Sequence, residues 1–520
     1  MADKIKLFVN GEEVEVEAGK NLIDAVGAVG IEIPHLCYHP ALGADGNCRM
    51  CLVGIEDGRP PLVPACKTPA QEGMKVLLDA EHIKKIQHDV MEFELINHPT
   101  DCPVCDQAGE CKLQDYYMSY DHADSRMTVP QVTKNKKMDF GGGVIHDQER
   151  CVVCGRCVRF LRQITKTGEL GIINRTDVAR VNIFPGRPID NRYGINVVDL
   201  CPVGAMTSSD FRFKQRVWFL KKSIGICHGC SKGCNISIDH NKEKNKDDFI
   251  YRFRPRFNEQ VNGYFICDEG RLSYKLENDN RLTAPRIGKA DRDISDVIVA
   301  CQNELEASQI TAMLISPSAS LEEMAAVKSL AEKLGANLSG FSDGYISIGD
   351  GDDYLIQDDK AANRKGLEIL GIDISKEGFE KAVAEADLLI NFANDLSLSY
   401  HPDAFANLIK DKKTIVCATH ESQYIADANL TIPVSSYSEN EGCVVNCDSI
   451  LQKFDKAVIK NHELPNICQI AAEFGSPLTS SAEIYAELQQ VIGVLKQYQP
   501  ATIPAEGLNL NDSEAANVTA

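Results

Sequence analysis

Fifteen of the 20 cysteines in this chain lie at or before Cys267, grouped around repeated C-x2-C steps, and only five follow. Thiols two residues apart bend the backbone around a common centre, which is metal-site spacing rather than a disulfide framework. A chain of 520 residues also has enough core to fold without cross-links. The front half is therefore expected to fold as loops closing on metal.

The first ligand set is Cys37, Cys48, Cys51 and Cys66, spaced C-x10-C-x2-C-x14-C. A near pair with two distant thiolates suits a [2Fe-2S] cluster, and Gly43 and Gly46 let backbone N–H groups approach the sulfurs. A structural zinc site is the alternative. The second set is His98, Cys102, Cys105 and Cys111. Taken alone, one histidine and three cysteines fit zinc equally well. The neighbouring sets favour a [4Fe-4S] cluster with one histidine ligand.

The third set is Cys151, Cys154 and Cys157, completed by Cys201-Pro202. Two-cluster bacterial ferredoxins give the run C-x2-C-x2-C-x3-C-P twice, and the fourth cysteine of each run serves the other cluster. Laid on this chain, the template finds all four ligands of one cluster. The four ligands of the other fall on Leu161, Asn191, Gly194 and Val197, none of which binds iron. A two-cluster domain that has kept one [4Fe-4S] cluster accounts for both halves of this pattern. The fourth set, Cys227, Cys230, Cys234 and Cys267, again suits a cubane, with zinc as the alternative. Lys221, Lys222, Arg252, Arg254 and Arg256 nearby read as solvated surface charge. Cys301, Cys417, Cys443, Cys447 and Cys468 form no ligand set and read as small buried apolar residues.

Periodicity supplies the frame around these loops. Ile5, Leu7 and Val9, then Asn10-Gly11, then Val14 and Val16 predict a hairpin with a type I′ turn. Leu22, Ile23, Val26 and Val29 predict a short helix. A second helix is expected over 80–98, with Ile83, Ile86, Val90, Phe93 and Leu95 on or near one face. Residues 98–215 read as irregular. Ile236 and Ile238, then Phe249, Tyr251 and Phe253, predict two strands joined by the turn Asn241–Asp248. From 295 to 500, strand-like runs (Ala312–Ile315, Leu388–Ala393, Thr414–Ala418) alternate with helical stretches (Leu321–Leu334, Asp403–Lys410, Ser481–Leu495). That alternation is the signature of a doubly wound parallel sheet.

Charge follows the same division. Up to Asn280 there are 37 Lys+Arg against 39 Asp+Glu, and from Arg281 onward 18 against 36. No part carries the basic excess of a nucleic-acid-binding protein. There is no run approaching 18 apolar residues, so a membrane-spanning chain is not expected. The N-terminus enters a strand pattern with no signal-peptide core, which points to a cytosolic protein. No GxGxxG or GxxxxGK[ST] loop supports a bound nucleotide, and no catalytic arrangement of recognised spacing stands out. Four candidate clusters without a substrate site read as an electron conduit.

On these residues the chain resembles the large iron–sulfur subunit of the peripheral arm of respiratory complex I, the proton-translocating NADH:quinone oxidoreductase, strongly over 3–280 and weakly over 295–470. The resemblance implies one [2Fe-2S] and three [4Fe-4S] clusters on the four sets, the fourth lying off the main path. It implies electron relay from a flavin subunit to the first cluster, then the Cys151 cubane, then the His98 cubane, then another subunit. FMN and the NADH site would belong to a partner. The implied partners are the flavin subunit and other iron–sulfur subunits, with no nucleic acid, at the cytoplasmic face of the bacterial inner membrane.

The stretch Asn262–Arg271 and the back half resemble molybdopterin oxidoreductases. Glu439-x2-Gly442-x3-Asn446 and Gln452 keep part of that family's pattern, while Ser449 and Ile450 replace its Gly-Arg. The domain is therefore expected to be a retained scaffold without molybdopterin. The expected domains are a [2Fe-2S] ferredoxin-like β-grasp domain at 1–80, a [4Fe-4S] segment with one histidine and three cysteines at 81–120 and a ferredoxin-like [4Fe-4S] domain at 121–219. A four-cysteine [4Fe-4S] module at 220–280, a truncated molybdopterin-oxidoreductase-like α/β domain at 281–498 and a disordered tail at 499–520 follow. The rivals are an iron–sulfur subunit of an NAD-linked formate dehydrogenase or hydrogenase, and a zinc-stabilised scaffold without redox activity.

Overall fold

The computed structural model describes residues 3–56, 58, 61–120, 124–241, 250–422, 425, 427–458 and 464–512. The chain divides into two compact units, Met1–Phe219 and Leu220–Ala520.

The front unit opens with the expected hairpin. Strands β1 (Lys4–Val9) and β2 (Glu12–Glu17) pair antiparallel with Leu7 opposite Val14. Asn10 and Gly11 supply φ values of 50° and 89°, the two positive angles that a type I′ turn requires. A helix at Leu22–Gly27 follows, capped by the Asn21 side chain accepting from Asp24 N–H. Strands β3 (Leu52–Ile55), β4 (Leu62–Pro64) and β5 (Lys75–Leu77) complete a mixed sheet in the order β2-β1-β5-β3-β4. Leu22, Ile23 and Val26 of the helix share a core with Leu7, Val9, Val53 and Val76. Burying each such side chain contributes about 1.5–3 kcal/mol, which fixes the sheet under the first ligand loop.

The second helix runs over Glu81–Leu95, but its buried stripe is Ile83, Gln87 and Met91. Phe93 is 72% exposed, contrary to the face expected from the apolar pattern. Positions 83, 87 and 91 recur every fourth residue, and 93 lies two residues past that stripe, round the helix. Polar Gln87 hid the true face.

Residues 98–215 are more regular than expected. A helix spans Lys112–Tyr120, and two shorter ones span Arg156–Gln163 and Asn196–Leu200. Strands β6 (Met138–Asp139), β7 (Val144–His146) and β10 (Met206–Ser208) form one small sheet. Strands β8 (Leu170–Ile173) and β9 (Arg180–Ile183) form a separate hairpin. These elements are only two to nine residues long, too short for periodicity to show.

The back unit begins with three antiparallel strands, β11 (Leu220–Ile226), β12 (Asn235–Asn241) and β13 (Ile250–Pro255). The two expected strands are β12 and β13; the turn assigned to 241–248 lies outside the described residues beyond Asn241. Strand β11 escapes the sequence pattern because Lys221 and Lys222 face solvent and break its alternation.

The main sheet has seven strands. They are β14 (Arg286–Ile287), β15 (Ala290–Asp291), β16 (Thr311–Ile315), β17 (Asn337–Ser339), β18 (Leu388–Phe392), β19 (Lys413–Ala418) and β20 (Leu430–Pro433). Their order is β15-β14-β20-β19-β18-β16-β17, parallel from β20 to β17. Strand order therefore reverses between β16 and β18, which is the switch point of a doubly wound sheet. The helix Leu321–Leu334 starts in a Ser320/Glu323 capping box and ends at Gly335 with φ 64°. It buries Leu321, Met324, Val327 and Leu330 in the core that also holds Cys301, Cys417 and Cys443.

Strands β21 (Gly442–Val445), β22 (Ile450–Phe454) and β23 (Leu508–Asn509) form a last small sheet. The expectation of a disordered tail is corrected by this sheet: residues 499–512 are ordered, because Leu508 pairs with Leu451 and Ile503 and Leu508 join the core. Residues 513–520 lie outside the described residues. Cys447 is also corrected. It is exposed, not a core residue: it lies in the turn between β21 and β22, with its backbone N–H donated to Ser231 O.

Candidate metal centres

Parts of each predicted set come together. Cys37, Cys48, Cys51 and Cys66 are all buried, at 0–8% exposure. Gly43 and Gly46 carry φ of 68° and 80° in the intervening loop, and Cys37 N–H points at Cys48 Sγ at 3.5 Å. Cys51 and Cys66 bring their Sγ atoms to 3.4 Å. Within each pair one sulfur is held toward thiolate by the other's S–H, and its partner is pushed up.

His98 sits just beyond the second helix, and Cys102 opens a short 3-10 turn. His98, Cys102 and Cys111 line one cavity with Leu95, Leu113 and Tyr117. Burial lowers the His98 pKa, which favours the neutral imidazole that a metal ligand must be. Cys105 turns toward the third set: a Cβ at Gly204 would stand 2.2 Å from Cys105 Sγ, so only glycine fits there.

Cys151, Cys154, Cys157 and Cys201 line a single small cavity. Val153 is held at φ 50°, unusual for a β-branched residue, and its N–H points at Cys151 Sγ at 3.4 Å. Burial pushes the Cys151 and Cys154 thiols up to about 12. Without metal these sulfurs are neutral, so loading an iron site must release protons. The template positions that lack cysteine are occupied by packed protein. Leu161 and Val197 are fully buried, and Asn191 Nδ2 donates to Glu169 Oε1 at 2.8 Å.

In the back unit, Cys227, Cys230, Cys234 and Cys267 are all buried. Gly229 N–H reaches Cys227 Sγ at 3.4 Å and Gly270 N–H reaches Cys267 Sγ at 3.3 Å. A Cβ at Gly270 would lie 2.9 Å from Cys227 Sγ and 3.3 Å from Cys267 Sγ. The hollow between the thiols is thus kept open by the absence of a side chain. Arg252 is not simply solvated: it pairs with buried Asp239 at 2.7 Å.

The residues that resembled the pterin pattern turn inward onto this loop. Asn446 Nδ2 donates to Lys232 O at 3.1 Å, and Gln452 Nε2 donates to Gly233 O at 3.0 Å. Glu439 accepts from Arg281 at 2.6 Å. At the C-terminal ends of β16, β18 and β20 lies a cavity whose lining includes Ser316, Ser320, Glu323, Ala393 and Ser435. A crevice there is where doubly wound sheets bind phosphates. Here the Glu323 carboxylate already accepts from Ser320 N–H at 2.9 Å, which disfavours a second anion.

The first three sets are also joined to one another. Cys37, Cys48, Met50, Cys111, Leu113 and Cys154 belong to one contiguous buried cluster, with Cys151 and Cys201 packed against it. Arg150 clamps Asp101 with two bonds of 2.9 and 2.7 Å, tying the residue before Cys151 to the residue before Cys102. Arg216 Nη1 holds Cys105 O at 2.6 Å. Arg159 donates to Gly43 O at 2.9 Å and to Cys37 O, and Arg156 donates to Tyr38 O. Sequence reading missed these arginines. The available signal was Arg156 and Arg159, three apart on one helix face around Cys157.

Comparison with known proteins finds iron–sulfur domain families over the stretches that hold the first three sets. Residues 2–80 match the 2Fe-2S iron-sulfur cluster binding domain. Residues 87–126 match the NADH-ubiquinone oxidoreductase-G iron-sulfur binding region. Residues 141–207 match the ferredoxin-like domain of NADH-quinone oxidoreductase subunit 3. The front therefore contains a [2Fe-2S] domain and [4Fe-4S]-type domains. The G subunit of the NADH-quinone oxidoreductase of Rickettsia felis is 37% identical over 345 residues, covering 64% of this chain and 50% of that protein. The mitochondrial NADH dehydrogenase [ubiquinone] iron-sulfur protein 1 of Solanum tuberosum is 36% identical over 343 residues, covering 64% and 45%. A chain of the crystal structure of NAD+-reducing [NiFe]-hydrogenase in the H2-reduced state is 25% identical, with a TM-score of 0.36, covering 41% of this chain and 91% of that one. The chain spans about half the length of the curated relatives first matched.

Proposed function

We propose that this chain, a homologue of the NADH-quinone oxidoreductase G subunit over 64% of its length, carries electrons through the peripheral arm of an NADH:quinone oxidoreductase. The observation that carries the reading is one buried core that holds cysteines from each of the first three sets. Separate zinc sites would have no need to share a core. Electron carriers do, because transfer falls away steeply with distance.

In this reading Cys37, Cys48, Cys51 and Cys66 hold a [2Fe-2S] cluster. His98, Cys102, Cys105 and Cys111, then Cys151, Cys154, Cys157 and Cys201, then Cys227, Cys230, Cys234 and Cys267 each hold a [4Fe-4S] cluster. Bound clusters supply one-electron storage. The chain's own residues supply the rest. Leu36, Met50, Met91, Leu113 and Tyr116 exclude water around the thiols. Backbone N–H groups of Val153, Gly229 and Gly270 point at sulfur, where they favour the more reduced state. Imidazole in place of one thiolate at His98 removes a negative charge from the iron's ligands and acts in the same direction.

Electrons would enter from a flavin-bearing partner and leave to other iron–sulfur partners, with no substrate bound on this chain. No helix among the described residues is long and apolar enough to cross a membrane. Attachment to the cytoplasmic face of the inner membrane would come through those partners. The α/β sheet of the back unit acts as a scaffold resembling a molybdopterin oxidoreductase domain, without the cofactor. Glu323 at the strand ends and the inward bonds of Asn446 and Gln452 support that part of the reading.

Metal and sulfide analysis of the full chain tests the proposal. It should carry about 14 iron and about 14 acid-labile sulfide, from one two-iron and three four-iron clusters. A colourless protein holding about four zinc ions would overturn it.

A further inference from the structure

Arg156 precedes the ligand Cys157 and is 7% exposed. Its Nη1 donates to Leu200 O at 3.2 Å and its Nη2 to Tyr38 O. No carboxylate pairs with it among the described residues. Its Nε–H is buried and has no hydrogen-bond partner. Arg156 also lines the cavity formed by Cys151, Cys154, Cys157 and Cys201.

A buried guanidinium needs a counter-charge, and two neutral carbonyls do not supply one. A buried N–H without an acceptor carries a further cost. One anionic acceptor would relieve both: a thiolate-ligated iron–sulfur cluster in that cavity. His146, also on the cavity wall, has no proton to donate from Nε2 while its ring is neutral. Its Nδ1 faces Ala205 O at 3.2 Å, which leaves Nε2 as the bare ring nitrogen.

We propose that Arg156 is a positioning and potential-setting residue of the third site, donating from Nε–H to a cluster or cysteine sulfur and placing its charge beside it. Reduction adds one negative charge to the cluster, and a fixed cation stabilises that form. Arg156 therefore raises the reduction potential of this centre above that of the same cubane without it. The inference rests on the assignment of a [4Fe-4S] cluster to Cys151, Cys154, Cys157 and Cys201.

The test uses the full cluster-loaded chain and reads a potential and a spectrum rather than turnover. In Arg156→Gln the reduced-to-oxidised ratio of this cluster at a fixed potential should fall about tenfold, which is about 59 mV for a one-electron couple. Arg156→Lys keeps the charge and should recover most of that loss, although it lacks the planar fork. In wild-type protein labelled with 15N-arginine, pulsed EPR of the reduced cluster should show a coupled nitrogen that Arg156→Lys removes. An unchanged potential in Arg156→Gln overturns the proposal. So does the absence of arginine nitrogen coupling in the wild type, a measurement that does not depend on any variant folding. If the EPR signal assigned to this site persists in Cys157→Ala, the cluster assignment fails first, and the proposal with it.

Discussion

The two units bury different things. In the front unit one core mixes cysteines of the first three sets with a larger number of aliphatic and aromatic side chains, and Arg156 and Arg159 hold the loops through backbone carbonyls. In the main sheet of the back unit the core is aliphatic, and Cys301 and Cys417 serve there as small apolar residues. Thiols, guanidinium groups and carbonyls stabilise a fold only when their charges and hydrogen bonds are matched. Leu330, Val327 and Ile390 need only to leave water. The front should thus depend on metal for its structure, and the back sheet should not.

Iron removal tests that contrast most severely. After chelation under reducing conditions, hydrogen exchange should show the segments around 36–51, 98–111 and 151–163 losing protection, while β16, β18 and β19 keep theirs. Equal loss in both units would erase the distinction. Single ligands come next. Cys157→Ala should abolish one cubane EPR signal and stop NADH-to-quinone transfer in the assembled enzyme. Cys230→Ala, in the back unit, should lower the amount of assembled complex more than its turnover per complex; normal amounts of an inactive complex would reverse that assignment.

A core truncation probes the other side. Leu330→Ala should destabilise the back unit by about 2–5 kcal/mol in denaturant titration and leave the EPR signals of the front unchanged. The smallest effect concerns acid. The Ser308 hydroxyl and the N–H groups of Gln309 and Ile310 hold exposed Asp387 at about 2, down from 3.8. Its contribution is complete above the ordinary carboxylate value and disappears as pH falls through about 2. Asp387→Asn should slightly lower the melting temperature of the back unit near pH 7, and the difference from wild type should close in strong acid. Because the group is exposed, the shift should be small.

Legibility differed between the units for the same reason. Long elements with one dominant face were readable. Leu321–Leu334 has the expected bounds, and β16, β18 and β19 begin or end within one residue of their expected limits. The helix at Ser481 is shorter than its apolar pattern suggests: it ends at Val491 and continues as a 3-10 turn over Gly493–Gln497. Misread positions share a cause. Gln87 takes a core place while Phe93 is exposed, and β11 carries two exposed lysines in succession. Leu508 and Ile503 sit in a polar stretch without period, and only packing against Leu451 and the core reveals them.

For the candidate centres, the sequence by itself singled out the four ligand sets, because C-x2-C steps leave the chain little choice about where nearby thiols point. It also determined where a second ferredoxin cluster is missing, since Leu161, Asn191, Gly194 and Val197 are legible as non-ligands. Tertiary structure alone decided that cysteines from each of the first three sets join one core, that Gly204 makes room for Cys105, and that Arg156 reaches Tyr38 across more than one hundred residues. Spacing governs convergence over a few bonds. Contact between distant segments depends on packing and charge compensation, which no local pattern records.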